Sequence, residues 1–225
     1  MLETVKKVVE SNKVDSLWVS QLFNLQPSDE LRILCLDRVF GNIQPYELFA
    51  LLTIAKARNA RHIFEIGTYN GRTTRNFAAN LNEGRVFTLD LPPNVDTSSL
   101  SYALDQLEVS LVKKNEVGTR YRGTPEENKI EQLYGDSASF DFTPYFQKMD
   151  LVFVDGSHAL DYVRSDSINA LKLVNSSGIV VWHDYGDEFP DVRAFIQQQA
   201  ETDPTRRYVH LLHTLMVVAI PLQSE

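Results

Sequence analysis

The 225-residue sequence predicts an α/β fold with a mostly parallel sheet and helices on both of its faces. After residue 59, short apolar runs alternate with helical patterns, as in parallel strands joined by helical crossovers. The last two runs are separated by only two residues, so one strand near the C-terminus is expected to be antiparallel. The runs are His62–Ile66, Arg85–Leu89, Leu151–Val154, Gly178–Trp182, Tyr208–Leu212 and Leu215–Ile220.

The segments before and between these runs predict helices. Residues 1–58 predict a helical extension packed on the core, and residues 59–225 predict the main domain. Within the extension, Asp29–Phe40 predicts one helix, and a second is expected from Pro45, because proline suits the first turn of a helix. Helical patterns in the main domain fit Arg72–Leu81, Leu160–Val174 and Asp191–Glu201.

Residues 92–129 interrupt the alternation of strands and helices. The segment is too long for a simple connection, and leucines from Leu100 to Leu111 predict a helix within it. Long loops of α/β proteins often act as lids or substrate-binding elements. A surface insertion without function fits the sequence equally well, and both interpretations stay open.

Composition excludes several classes of protein. The net charge of −8 disfavours a nucleic-acid substrate, because an acidic surface repels phosphates. The single cysteine, Cys35, excludes an internal disulfide, a cysteine-only zinc site and an iron–sulfur cluster. The charged N-terminal segment and the lack of a long apolar stretch predict a cytoplasmic protein without a membrane partner.

The segment FEIGTYNGRTT, residues 64–74, predicts a cofactor-binding turn between a strand and a helix. Gly67 permits a tight turn, and the helix N-terminus near Gly71 offers free N–H groups to an anion. Glu65 would repel a pyrophosphate but suits a ligand with an ammonium and a sulfonium, which favours S-adenosylmethionine (SAM) over NAD. The candidate cofactor-binding residues of the turn are Glu65, Gly67, Thr68, Tyr69, Asn70, Gly71 and Thr73.

Two further positions fit a nucleoside. Asp90 ends the second predicted strand, where an acidic residue can accept hydrogen bonds from both ribose hydroxyls. Asp136 or Ser137, which precede the third apolar run, can hydrogen-bond an adenine amino group. Both sets of residues extend the predicted cofactor site.

A second group of polar residues follows two later strands. Asp155 and His158 come after the third apolar run, and His183 and Asp184 come after the fourth. Ligands of open α/β sheets bind at the carboxyl ends of the strands, so these residues should converge on one pocket. Adjacent strand residues face opposite sides, so His183 and Asp184 can meet only if the strand has already ended.

This second group suggests metal-assisted chemistry. Asp155, His183 and Asp184 are candidate ligands of Mg²⁺ or Mn²⁺, and the imidazole keeps the choice of ion open. A bound ion would lower the pKa of an acceptor hydroxyl and orient it. Asp155 and His158 are the candidate catalytic residues, with His158 as the base. Hydrogen-bonded structural roles for both histidines are the alternative.

Residues 45–221 resemble the class I SAM-dependent methyltransferases, in particular their small-molecule O-methyltransferase branch. EIGTYNG, residues 65–71, is similar to the glycine loop of the catechol O-methyltransferase group, and the VDGSH and HD segments resemble bacterial sugar and antibiotic O-methyltransferases. The resemblance implies a Rossmann-like, seven-stranded sheet and homodimerisation. It implies that residues 65–71 and Asp90 bind SAM, that Asp155 also contacts it, and that Asp155, His183 and Asp184 hold Mg²⁺ beside the base His158.

The predicted function is therefore transfer of a methyl group from SAM to a hydroxyl of a small molecule. Two alternatives remain open. An NAD(P)-dependent oxidoreductase also carries an acidic residue after its second strand, as Asp90 does here. A non-catalytic SAM-binding module would need the glycine turn but not the Asp155 and His183 cluster.

Overall fold

The computed structural model describes residues 14–23, 30–114 and 116–222. These residues form one sheet in the order β1-β7-β8-β6-β5-β2-β3-β4. Every pair of neighbours is parallel except those of β8, which is antiparallel to both β6 and β7. The predicted mostly parallel sheet with one reversed strand is confirmed. The strands are β1 Val14–Leu17, β2 His62–Ile66, β3 Arg85–Asp90, β4 Ile130–Tyr134, β5 Met149–Val154, β6 Val174–Trp182, β7 Arg206–Leu211 and β8 Val217–Pro221.

Helices cover both faces of the sheet because successive strand residues point to opposite sides. On one face, Leu151 and Phe153 of β5 pack in a core with α2 and α3. On the other, Val152 and Val154 pack in a core with α5 and α6. The helices are α1 Val19–Leu22, α2 Pro45–Ala57, α3 Arg72–Asn80, α4 Gln106–Lys113, α5 Leu160–Leu173 and α6 Pro190–Thr202. None of the helices in the part of the chain that the structure describes is long and apolar enough to cross a bilayer.

The sheet has eight strands among the described residues, one more than the predicted seven. Strands β4 and β1 correspond to none of the six predicted runs. Strand β1 lies at the edge beside β7, with Val14 opposite Tyr208. Its sequence, VDSL, is too short and too polar to show a period-two pattern. A side-chain pair adds to its backbone pairing, because Arg207 Nε donates to Asp15 Oδ2 at 2.8 Å.

The predicted helix at Asp29–Phe40 is wrong for its described part, since residues 30–39 form neither helix nor strand. Two asparagines of α3 hold this segment instead. Asn80 Oδ1 accepts from Arg32 N at 2.8 Å, and Asn76 Oδ1 accepts from Leu34 N at 2.7 Å. In return, Asn76 Nδ2 donates to the Leu34 carbonyl and Asn80 Nδ2 donates to the Arg32 carbonyl. These tertiary bonds satisfy backbone groups that a helix would satisfy internally, and helical spacing does not reveal them.

The helix predicted from Leu100 in the insertion begins later, as α4 at Gln106. Asp105 caps it: its side chain accepts from Glu108 N at 2.8 Å, and Glu108 Oε2 accepts from Asp105 N at 2.8 Å. This reciprocal capping box fixes the start of a helix more firmly than apolar spacing does. The helix predicted from Pro45 does begin at that residue.

We predict that Asp166→Asn stabilises the protein increasingly as the pH rises. Asp166 of α5 is 1% exposed and its Oδ1 has no partner, and burial raises its pKa from 3.8 to about 7. A carboxyl whose pKa is raised by folding costs stability as the pH rises from the unfolded value to the folded one. In urea unfolding, the advantage of D166N over wild type should grow by about 2–3 kcal/mol between roughly pH 5 and pH 8.

The matched control is Asp161→Asn, because Asp161 lies on the same helix but is exposed. Its effect on the free energy of unfolding should be the same at both pH values. If the difference in free energy of unfolding between D166N and wild type did not change with pH, the raised pKa of Asp166 would be contradicted.

Candidate active site

A cavity of about 690 Å³ opens at the carboxyl ends of the central strands. One part of its wall is formed by the glycine turn after β2 and the end of β3. Another part is formed by the loops after β5 and β6. The N-terminal segment around Gly41–Glu47 and helix α4 of the insertion close the remaining sides. Part of the predicted cofactor site and all of Asp155, His158, His183 and Asp184 therefore face one cavity.

The glycine turn is held tightly against the neighbouring strand. Gly67 has a φ of +97°, and a Cβ there would lie 2.0 Å from the Asp155 carbonyl oxygen. Asp90 ties the same turn to the end of β3, since its Oδ2 accepts from Thr68 N at 2.9 Å and from Tyr69 N at 2.6 Å. Burial raises the pKa of Asp90 to about 6, against the effect of these hydrogen bonds. The turn that approaches the cavity is thus a rigid element.

Glu65 does not line the cavity. It is fully buried beneath the turn, where its Oε2 accepts from the hydroxyls of Thr74 and Thr88. Its Oε1 has no partner, and burial raises the pKa of this carboxyl to about 8. The expected direct contact of Glu65 with a cationic ligand therefore stays a prediction, and the structure gives the residue a place in the support of the turn.

The other predicted cofactor-binding residues divide into two sets. Thr68 and Asn70 support the turn: the Thr68 hydroxyl lies 2.6 Å from that of Thr88, and Asn70 Oδ1 accepts from Arg72 N at 3.1 Å. Asp136 holds the insertion, since it accepts from Ser101 N at 2.7 Å. Five predicted residues line the cavity, namely Gly67, Tyr69, Asp90, Ser137 and Asp155, whereas Glu65, Thr68, Asn70, Gly71, Thr73 and Asp136 lie outside its wall.

The predicted metal ligands converge at the other part of the cavity. His183 Nδ1 lies 3.3 Å from Asp155 Oδ1 and 3.0 Å from Asp184 Oδ1. One ligand atom from each of the three residues lies within 4.8 Å of the others. Strand β6 ends at Trp182, and Asp184 has a φ of 61°. This left-handed backbone lets two adjacent side chains face one centre, which a continuing strand would prevent.

His158 joins the cluster from the loop after β5. Its Nε2 lies 2.8 Å from Asp184 Oδ2, and its ring packs against Phe189 with centroids 4.5 Å apart. Burial opposes a charge on His158, but the hydrogen bond with Asp184 and the nearby carboxylates raise its pKa above the usual value. His158 and His183 therefore share Asp184, one at each carboxylate oxygen.

The neighbouring carboxylates also stabilise the positively charged form of His183. Burial opposes ionisation of this imidazole, yet Asp155, Asp184 and Glu47 raise its pKa well above the usual value. In return, the two histidines lower the pKa of Asp184 despite its burial. The same carboxylates that favour a proton on His183 would also favour a bound cation.

Two glutamates of the site were not predicted from the sequence. Glu47 of α2 is 1% exposed, and its Oε2 lies 3.2 Å from His183 Nε2. Glu108 of α4 accepts from His158 N at 2.8 Å through Oε1. Both are the third residue of their helices, and each closes a capping box. The Asp105-x-x-Glu108 spacing is a recognisable helix-start signal, but it does not indicate that the glutamate also reaches a histidine.

The sequence matches the model of a methyltransferase-domain family over residues 64–185. No curated protein sequence matches the chain.

Solved structures share the fold. An S-adenosylhomocysteine-bound methyltransferase from Podospora anserina aligns with a TM-score of 0.55 and 18% identity over 82% of this chain and 81% of that one. An O-methyltransferase from Bacillus cereus in complex with the same compound gives 0.56 and 17% over 81% and 84%. TomG, a SAM-bound O-methyltransferase of tomaymycin synthesis from Streptomyces achromogenes, gives 0.53 and 19% over 84% and 93%.

We predict that Gly67→Ala abolishes S-adenosylhomocysteine binding and destabilises the protein. The new methyl group would collide with the backbone of Asp155, which cannot move without breaking the pairing of β2 with β5. Calorimetry and urea unfolding measure the two effects, and the destabilisation should exceed about 2 kcal/mol, since strain adds to steric overlap.

Gly123→Ala is the matched control. Gly123 also has a positive φ, +71°, but a Cβ there meets nothing within 4 Å. G123A should therefore lose only about 1–2 kcal/mol from backbone strain and keep its ligand affinity. Equal effects of the two substitutions would show that the close approach at Gly67 is unimportant.

Proposed function

This chain belongs to the methyltransferase-domain family, and we propose that it transfers a methyl group from SAM to a hydroxyl of a small molecule. The observation that carries the proposal is the position of His158, Asp155, His183 and Asp184 in the wall of the same cavity as the glycine turn. A cofactor bound along the turn would have its reactive end near a base and a set of potential metal ligands.

The cofactor side of the cavity suits SAM. Asp90 lines it with a carboxylate at the end of β3, the position at which an acidic residue meets a ribose. Tyr69 and Gly67 border the same space, and Ser137, the proposed partner of an adenine amino group, also lines the cavity. Asp155 adds a negative charge between the cofactor side of the cavity and the chemical cluster formed by His158, His183 and Asp184. This charge favours a ligand with a sulfonium and an ammonium.

Asp155, His183 and Asp184 fit a divalent metal ion. Two carboxylate oxygens and one imidazole nitrogen lie close enough to share an ion. Carboxylates suit Mg²⁺ and Mn²⁺, and the imidazole also admits Fe²⁺ or Zn²⁺. A bound ion would lower the pKa of the acceptor hydroxyl and fix its orientation.

The protein's own groups would handle the proton. His158 lies at the cavity wall with Nε2 held by Asp184. Its other nitrogen, Nδ1, which lies 3.6 Å from Glu108 Oε1, is then the atom that would take the acceptor proton. The acceptor oxygen then forms a bond to the methyl carbon as the carbon–sulfur bond breaks. The sulfur keeps the electron pair, which gives S-adenosylhomocysteine.

Large apolar side chains also line the cavity, among them Phe40, Tyr46, Leu107 and Phe189. Phe189 packs against the ring of His158, with centroids 4.5 Å apart. Apolar walls with a few convergent polar groups are typical of small-molecule sites. They support a small hydroxylated acceptor with an apolar body, and the O-methyltransferase names of two structural neighbours agree with this class of reaction.

We predict that S-adenosylhomocysteine binds to the wild type and to Asp184→Ala with similar affinity. In calorimetry, the heat of Mn²⁺ binding should be lost in D184A and in Asp155→Ala.

The second test measures methyl transfer to a set of candidate acceptors, which would be hydroxylated aromatic compounds. With an active acceptor, His158→Ala should lower turnover about 10²- to 10⁴-fold, the usual contribution of a general base.

His62→Ala is the control, because His62 is exposed at the opposite end of β2. It should leave ligand binding and turnover unchanged. Absence of S-adenosylhomocysteine binding would overturn the proposal, and binding of NAD in its place would favour an oxidoreductase. Unchanged turnover in H158A would exclude His158 as the base.

A further inference from the structure

Glu47 is a buried carboxylate with donors from three parts of the fold. Its Oε2 accepts from Gln44 N at 2.9 Å, at the start of α2. Its Oε1 accepts from Leu215 N at 2.7 Å, in the loop before β8. Its Oε2 also lies 3.2 Å from His183 Nε2. The side chain is 1% exposed, so these partners replace water almost completely.

A helix start does not require this arrangement. A capping-box glutamate normally closes its own helix at the surface, where ionisation costs little. Burial of a carboxylate costs several kcal/mol unless hydrogen bonds compensate for the lost water. Glu47 bears that cost beside a histidine whose other nitrogen faces Asp155 and Asp184, which indicates a role beyond capping.

We propose that Glu47 is a positioning residue that accepts the Nε2–H of His183 and thereby directs Nδ1 towards Asp155 and Asp184, ready to bind the metal ion. This inference rests on the proposed metal-assisted function. The ring of His183 is held at both ends, because rotation about its Cβ–Cγ bond would break the contact with Glu47. With a metal ion at Nδ1, the one proton of the ring would be on Nε2, where the Glu47 carboxylate can accept it.

The consequence is a higher metal affinity. A histidine ligand whose remaining N–H is bonded to a carboxylate is oriented and more basic, and loss of such a partner typically weakens metal binding about 10- to 100-fold. Glu47 contributes this effect from α2, outside the strand ends that carry the ligands. The N-terminal part of the chain therefore takes part in building the chemical site.

The experiment is calorimetric titration of the full chain with Mn²⁺ in the presence of saturating S-adenosylhomocysteine. Glu47→Ala should weaken Mn²⁺ binding about 10- to 100-fold. Glu47→Gln keeps an oxygen acceptor but removes the charge, so it should weaken Mn²⁺ binding less than E47A while remaining clearly below wild type. Because glutamine has nearly the same shape as glutamate, the weakening that remains in E47Q cannot come from lost packing and would report on the interaction with His183. If E47A does not fold, E47Q decides alone.

Glu126→Ala is the matched control, since Glu126 is also a buried glutamate, 7% exposed, but pairs with Arg75 away from the cavity. E126A should lose stability and keep its Mn²⁺ affinity. Wild-type affinity in E47A, or in E47Q when E47A does not fold, would overturn the inference and leave the methyltransferase proposal intact. Absence of Mn²⁺ binding by the wild type would also overturn it. A preceding titration with S-adenosylhomocysteine alone would report separately on the proposed function.

Discussion

The backbone at the end of β6 is the constraint on which the chemical site depends. His183 N donates to Val154 O at 3.0 Å, next to the last residue pair of the ladder between β5 and β6. Asp184 then adopts a φ of 61°, which turns the chain out of the sheet. Without that turn, the two side chains would lie on opposite faces. With it, they meet Asp155, which follows the neighbouring strand, and His158 reaches the far oxygen of Asp184.

The cofactor side depends on a comparable contact between neighbouring strands. Gly67 approaches the backbone of Asp155 so closely that no side chain fits, and Asp90 bonds two amides of the turn. Asp155 therefore contributes to both parts of the site. Its carbonyl oxygen leaves no room for a side chain at Gly67, and its carboxylate lies beside His183. The spacing between a bound cofactor and the chemical residues is thus set by the pairing of β2 with β5.

Much of this architecture could be predicted from the sequence because it depends on local patterns. The alternation of apolar runs and helices indicated the parallel sheet, and polar residues after strands indicated the convergence of Asp155 and His183. The segment at residues 30–39 could not be predicted, because its backbone is held by Asn76 and Asn80 of a distant helix. The short, polar β1 likewise acquires its strand structure from β7. Glu65 illustrates a further limit: spacing identified the residue, but only packing shows that it supports the turn from below.

Glu47 and Glu108 show why the peripheral segments matter to the chemistry. Each comes from an element outside the alternating pattern, α2 or the insertion helix α4, and each contacts one of the two histidines. The same elements also line the cavity, through Tyr46 and Leu107. A displacement of either helix would therefore alter the shape of the cavity and the support of a histidine together.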